Sequence, residues 1–113
     1  MDPLSQAFGA LADPTRRDML ARMAAGEETV TSLAQQYGLS LQAASKHLKV
    51  LETAGIVTKS REAQRRPLHL EPGVLDLMAG WIRRYQREVE ARYQRLDDVL
   101  AEMNGADARE ETA

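Results

Sequence analysis

The 113-residue sequence predicts a mainly α chain with one small β-hairpin, and three features of its patterning carry that reading. Apolar residues recur at three- and four-residue spacing through most of the chain, as amphipathic helices require. Capping residues and glycine stops divide that pattern into separate segments. Between Gly55 and Leu70 the period changes to alternation around a polar turn, which suits two short strands.

The first helix is expected over "PLSQAFGALA", residues 3–12, where Leu4, Phe8 and Leu11 share a face. "DPTRRDMLARMAAG" follows. Asp13 can cap this second helix, and Pro14 suits its first position, where a missing N–H costs nothing. Met19, Leu20 and Met23 form its apolar side, and Gly26 is the stop. The third helix lies in "TVTSLAQQYG", capped by Thr29 or Thr31 and ended by Gly38, with Val30, Leu33, Ala34 and Tyr37 inward. The fourth lies in "LSLQAASKHLKVLETAG". Ser40 caps it, Ala44, Leu48 and Leu51 share its buried face with Leu41 beside them, and Gly55 ends it by taking a positive φ. Only three or four residues separate the third and fourth helices, the sequence form of a helix-turn-helix. "GIVTKS" and "RPLHL" are the strands, with "REAQR" as a charged tip and Pro67 at an edge or strand start.

The last helix runs from Pro72 to about Met103 with one interior glycine, Gly80. Leu75, Met78, Ile82, Tyr85, Val89, Tyr93, Leu96, Leu100 and Met103 make one long apolar stripe. About 30 helical residues span roughly 45 Å, more than so small a domain needs for its own core. Part of the stripe is therefore expected to be covered by a second copy of the chain. Trp81, Tyr85 and Tyr93 fit such an interface, with an apolar ligand pocket as the other reading. Residues 1–103 are expected to form one domain and residues 104–113 a disordered tail.

Composition removes several classes. There is no cysteine, so disulfides, thiolate metal sites and cysteine nucleophiles are excluded. No apolar run approaches a membrane span, and the N-terminus shows no secretory signal. A cytoplasmic location is expected. Net charge is −2, but its distribution is uneven. From Ser40 to Arg66 there are six basic residues and two acidic; from Pro72 onward there are six basic and nine acidic. The middle of the chain is a locally basic patch able to neutralise phosphates.

The fourth helix concentrates that chemistry. Burying Leu48 and Leu51 turns Gln42, Ser45, Lys46 and Lys49 outward. A DNA major groove accepts one helix and rewards hydrogen-bonding groups on its groove side. Gln42 suits adenine or a phosphate, and Lys46 suits guanine or the backbone. Ser45 and Ala43 are small enough for close approach, with thymine methyls as partners for Ala43. Ser40 points the helix N-terminus toward a phosphate. His47 stands beside the core face, positioned either for a phosphate or to anchor one helix to another. Lys59, Arg61, Arg65 and Arg66 of the hairpin reach phosphates or the minor groove. Arg16 and Arg17 have two readings, a DNA backbone contact or an ion pair within a dimer.

"LADPTRRDML", "VTSLAQQYGLSLQAASKHLKVLETAGIVTKSREAQRRPLHL" and the long closing helix resemble the ArsR family of winged-helix transcriptional repressors, over residues 4 to 103. The combination of "ADPTRR" with S-x-H-L-x-x-L-x-x-A-G-I-V carries the likeness. The resemblance implies a winged helix-turn-helix in a homodimer built from the first and last helices. Leu4, Phe8 and Leu11 then join Ile82, Tyr85, Val89, Tyr93, Leu96, Leu100 and Met103 at the interface. It implies recognition positions Gln42, Ala43, Ser45, Lys46 and His47, a wing from Ile56 to Leu70, and an inverted-repeat promoter operator in double-stranded DNA. The chain departs from metal-sensing members. It has "ETVTSLA" where they place paired cysteines, and no histidine on the last helix. No metal, cofactor or catalytic group is expected, and the sequence names no inducer.

Two competitors remain. An enzyme is disfavoured because Ser45 and His47, two apart on a helix, do not face each other. A winged helix used only for protein contact is the alternative, since fold does not fix function.

Overall fold

The computed structural model describes residues 1–60 and 66–112, with side chains through residue 105. Among the described residues five helices and two strands follow in the order α1 (Pro3–Leu11), α2 (Pro14–Ala25), α3 (Val30–Tyr37), α4 (Leu41–Thr53), β1 (Val57–Lys59), β2 (Leu68–Leu70) and α5 (Pro72–Thr112). The mainly α class, the helix-turn-helix and the single hairpin all match the sequence reading. Contacts divide the chain into two compact units, Met1–Met78 and Ala79–Ala113.

Each short helix starts where a side-chain oxygen can satisfy an open backbone N–H. Asp13 Oδ1 accepts from the Thr15 and Arg16 N–H groups at 2.7 and 3.2 Å. Thr29, not Thr31, caps α3. It forms a reciprocal box in which its Oγ1 accepts from Ser32 N–H at 3.1 Å and Ser32 Oγ accepts from Thr29 N–H at 2.8 Å. Ser40 Oγ accepts from Ala43 N–H at 3.1 Å. Asp2, which the sequence pattern did not single out, caps α1 through Ser5 N–H at 2.8 Å.

Two glycines end helices with a left-handed residue. Gly38 (φ 63°) closes α3 while Leu39 N–H donates to Ala34 O at 2.9 Å, so the chain reverses in three residues before α4 begins. Gly55 (φ 76°) follows α4, and a β-carbon there would sit 3.1 Å from Val74 Cγ2. Gly26 also ends its helix, but with extended backbone.

The core of the first unit is built from Met19, Leu33, Leu48, Leu51, Ile56 and Val57, all fully buried. On α1 the fully buried residues are Ala7 and Ala10. Leu4, Phe8 and Leu11 pack around that core only in part. One core expectation is corrected. Leu41 continues the line of Ala44, Leu48 and Leu51 on α4 but is not buried with them; it is 57% exposed. It occupies the first turn, and Leu39, one residue before the cap, packs against the core instead.

The strands pair antiparallel with Val57 opposite Leu70 and Lys59 opposite Leu68. Leu68 is buried and His69 exposed, as their alternation implies. β2 has a further partner, because Leu68 N–H donates to Glu28 O at 2.9 Å. The hairpin is thereby tied to the residue just before the α3 cap.

In the second unit every described side chain from Trp81 to Gly105 is exposed. Helix α5 continues through Asn104 and Gly105 to Thr112, beyond the stop expected near Met103. Single weak helix formers cost only about 1 kcal/mol or less inside a helix.

Candidate nucleic-acid interface

The exposed side of the helix-turn-helix is set by α4. Ala44, Leu48 and Leu51 are fully buried, which fixes the helix's rotation about its axis. Gln42, Lys46 and Lys49 then face solvent, and Ala43, Ser45 and His47 flank them half-buried. The polar groups expected to reach base edges are thus brought together on one outward face.

A concavity of about 640 Å³ opens beside the first half of α4. Leu41 and Ser45 line it from α4, Thr31 from the start of α3, and Lys59 and Arg66 from the hairpin. Glu27 also lines it. Lys59 is not a bare cation, because its Nζ pairs with Glu52 Oε1 at 3.5 Å, both partly exposed. Such a pair is weak in water and can be exchanged for a phosphate. Arg66 is exposed. Arg61 and Arg65, expected to act with it, lie outside the described residues.

His47 joins α4 to α2. His47 Nδ1 lies 3.4 Å from Arg16 Nη1. Arg16 is a hub: its Nε donates to Ala10 O at 2.6 Å, and its Nη1 lies 3.8 Å from Asp13 Oδ2. Arg17 donates to Leu11 O and Ala12 O at 2.7 and 3.1 Å. The two arginines of "TRR" therefore hold the carbonyls that end α1, and Arg16 links them to α4. Hydrogen bonding from the Arg16 N–H, with smaller help from Thr15, holds the Asp13 carboxyl below its usual pKa.

Two further supports escaped the sequence reading. Tyr37 is only half-buried. Its hydroxyl donates to Asp18 and accepts from Arg22 Nε at 3.0 Å, bracing α2 against α3. Burial and the Asp18 carboxylate push the Tyr37 hydroxyl pKa up. Glu28 accepts from Ser32 Oγ at 2.5 Å and from Gln36 Nε2 at 2.8 Å, while its backbone carbonyl holds β2. One residue thus fixes the hairpin's position beside α3. Both supports join residues distant in sequence, and no local pattern announces either.

On α5 the stripe lies open. Ile82, Tyr85, Val89, Tyr93, Leu96, Leu100 and Met103 are all exposed, between 43% and 62%. The Trp81 and Tyr85 rings tilt against each other with centroids 4.7 Å apart. Among the described residues no helix is long and apolar enough to cross a membrane.

Comparison with known proteins agrees with this geometry. A family described as a helix-turn-helix domain matches residues 11–60. The chain is similar to the HTH-type transcriptional regulator Rv2034 of Mycobacterium tuberculosis, 37% identical over 93 residues, which are 82% of this chain and 87% of that protein. Among solved structures it resembles an ArsR family transcriptional regulator, RHA00566, at 31% identity and a TM-score of 0.72, over 79% of this chain and 98% of that one. It also resembles the homodimeric winged helix-turn-helix DNA-binding domain of Mb0332 from Mycobacterium bovis, at 30% identity and a TM-score of 0.61, over 77% and 81% of the two chains.

Proposed function

The chain belongs to the ArsR family of winged-helix DNA-binding transcriptional regulators, and from that premise we propose that it is a homodimeric repressor that binds an inverted-repeat operator in promoter DNA. The observation that carries this reading is the orientation of α4. Its buried rear of Ala44, Leu48 and Leu51 leaves Gln42, Lys46 and Lys49 pointing out together. In a major groove these side chains meet base edges and phosphates, with Ser45 and Ala43 permitting close approach.

Each helix-turn-helix reads a half-site, and the hairpin adds phosphate contacts through Lys59 and Arg66. Lys59 exchanges Glu52 for a phosphate as DNA arrives. The second protomer supplies the other half-site. The open apolar stripe of α5 supports that dimer, as does the homodimeric state of the Mycobacterium bovis domain it resembles. Leu4, Phe8 and Leu11 of α1 complete the interface. With two-fold symmetry, the α4 helices enter successive major grooves about 34–36 Å apart. Repression follows when the bound dimer covers promoter DNA.

The chain is proposed as a non-metal-sensing member. It has no cysteine, and its two histidines stand on α4 and β2 rather than on α5. His47 is engaged with Arg16.

Mass measurement of the free protein and of its complex with an operator duplex tests this reading. One duplex carrying two chains supports it. A single chain per duplex, or binding that is weak and uniform across sequences, contradicts it and favours a protein-contact module.

A further inference from the structure

Leu41 is the most exposed apolar side chain on α4, at 57% against 40% for Val50. It is the first residue of the helix. Ser45 lies one turn further along the same side, and both line the concavity that Lys59 and Arg66 border from the hairpin. An exposed leucine by itself needs no explanation. Its placement does. It precedes Gln42 and lines the concavity with Ser45, at the N-terminal end of a recognition helix whose N-terminal residues contact base edges. The apolar group that the major groove offers on a base edge is the thymine C5-methyl.

We infer that Leu41 is a specificity-determining residue that packs on a thymine methyl in the major groove. The inference rests on the reading of α4 as the recognition helix. It moves the apolar contact from Ala43, which is half-buried and ends at its β-carbon, to a side chain that reaches further and lies open. The cations that line this groove suit a duplex as its occupant, since Lys59 and Arg66 can take its phosphates. Glu27 also lines the concavity; its carboxylate disfavours a phosphate close to it and does not oppose a methyl contact.

The test uses duplexes enriched by the full-length protein from a random pool. Each thymine of a half-site is replaced in turn by uracil, which removes the methyl and keeps every hydrogen-bonding group. At one position the wild-type protein should lose about fourfold in affinity, which is about 0.8 kcal/mol for one buried carbon. Leu41→Ala should bind the thymine and uracil duplexes equally, with an unchanged salt slope, because no phosphate contact is lost. Leu41→Gln, selected afresh, should lose the thymine preference at that position. Thermal unfolding of both variants verifies that each is folded. If an inverted repeat is enriched but no thymine methyl effect disappears in Leu41→Ala, this assignment is overturned while the DNA-binding reading stands. If the wild-type protein enriches nothing, both are overturned.

Discussion

Replacing Arg16 with alanine separates a clamp within the protomer, which the sequence did not suggest, from the DNA backbone contact, which it did. The Arg16 side chain is only 17% exposed and lies against Ala10 O, Asp13 and His47. Its bond to Ala10 O, at 2.6 Å, is charge-assisted and satisfies a carbonyl at the end of α1. A hydrogen bond to a charged group contributes about 1.5–3 kcal/mol. Removing it leaves that carbonyl short of a partner and frees His47 from its anchor. We expect Arg16→Ala to destabilise the protein by about 2–3 kcal/mol on this basis. Arg16→Lys should recover part of that loss, since one ammonium cannot reproduce the planar fork. Denaturant unfolding at fixed protein concentration measures both, because dimer stability depends on concentration. A loss below about 0.5 kcal/mol, the scale of an ordinary surface substitution, together with a large fall in duplex affinity, would refute the clamp. It would make Arg16 a phosphate contact instead.

Four other outcomes are expected. Lys46→Ala and Gln42→Ala should each lose about 1–3 kcal/mol of discrimination at one operator base pair while the dimer stays folded; a titration series over operator variants showing full discrimination would remove that residue from the base contacts. Lys59→Ala with Arg66→Ala should weaken binding to all sequences alike and flatten the log–log salt slope by about 0.9 per lost phosphate contact; an unchanged slope would take the hairpin off the phosphate list. Leu96, 52% exposed, gains roughly 1 kcal/mol from burial in each protomer, half the full leucine value, so Leu96→Asp should dissociate the dimer in dilute solution, and an unchanged mass would place Leu96 outside the interface. The Asp13 carboxyl is depressed in the folded state, mainly by the Arg16 N–H. Its contribution is therefore present above the usual aspartate pKa and lost as pH falls through the folded value. The gap in Tm between wild type and Asp13→Ala should narrow below about pH 4, and a gap that widens there would contradict the cap's role.

Most of the fold was legible because each short helix carries its own start and stop. Asp13, Thr29 and Ser40 cap, Gly38 and Gly55 terminate, and the three-residue turn between α3 and α4 follows from the Gly38 stop and the Ser40 cap. The outward face of α4 was legible for the same reason, since the spacing of Ala44, Leu48 and Leu51 sets its rotation. Periodicity does not say how far the core extends along a helix axis. Leu41 shares the period of the buried residues yet stands beyond the core's edge, where Leu39 takes the packing role. Interactions between distant segments were not legible either. The Arg16 clamp, the Asp18–Tyr37–Arg22 brace and the bond from Leu68 to Glu28 depend on which helices meet, and no single-helix pattern encodes that. The small α1 residues Ala7 and Ala10 were overshadowed by the larger Leu4, Phe8 and Leu11, although the alanines are the ones fully buried.

Selection from a pool of random duplexes at physiological salt, run in parallel with wild type and with Lys46→Ala, tests the central claim most directly. The account predicts that wild type enriches an inverted repeat with half-sites one helical turn apart, about 10–10.5 base pairs, and that Lys46→Ala enriches the same spacing with one base pair per half-site degenerate. Enrichment of no sequence by wild type, or an identical motif from both proteins, would contradict the assignment of α4's outward face as the reader of DNA sequence.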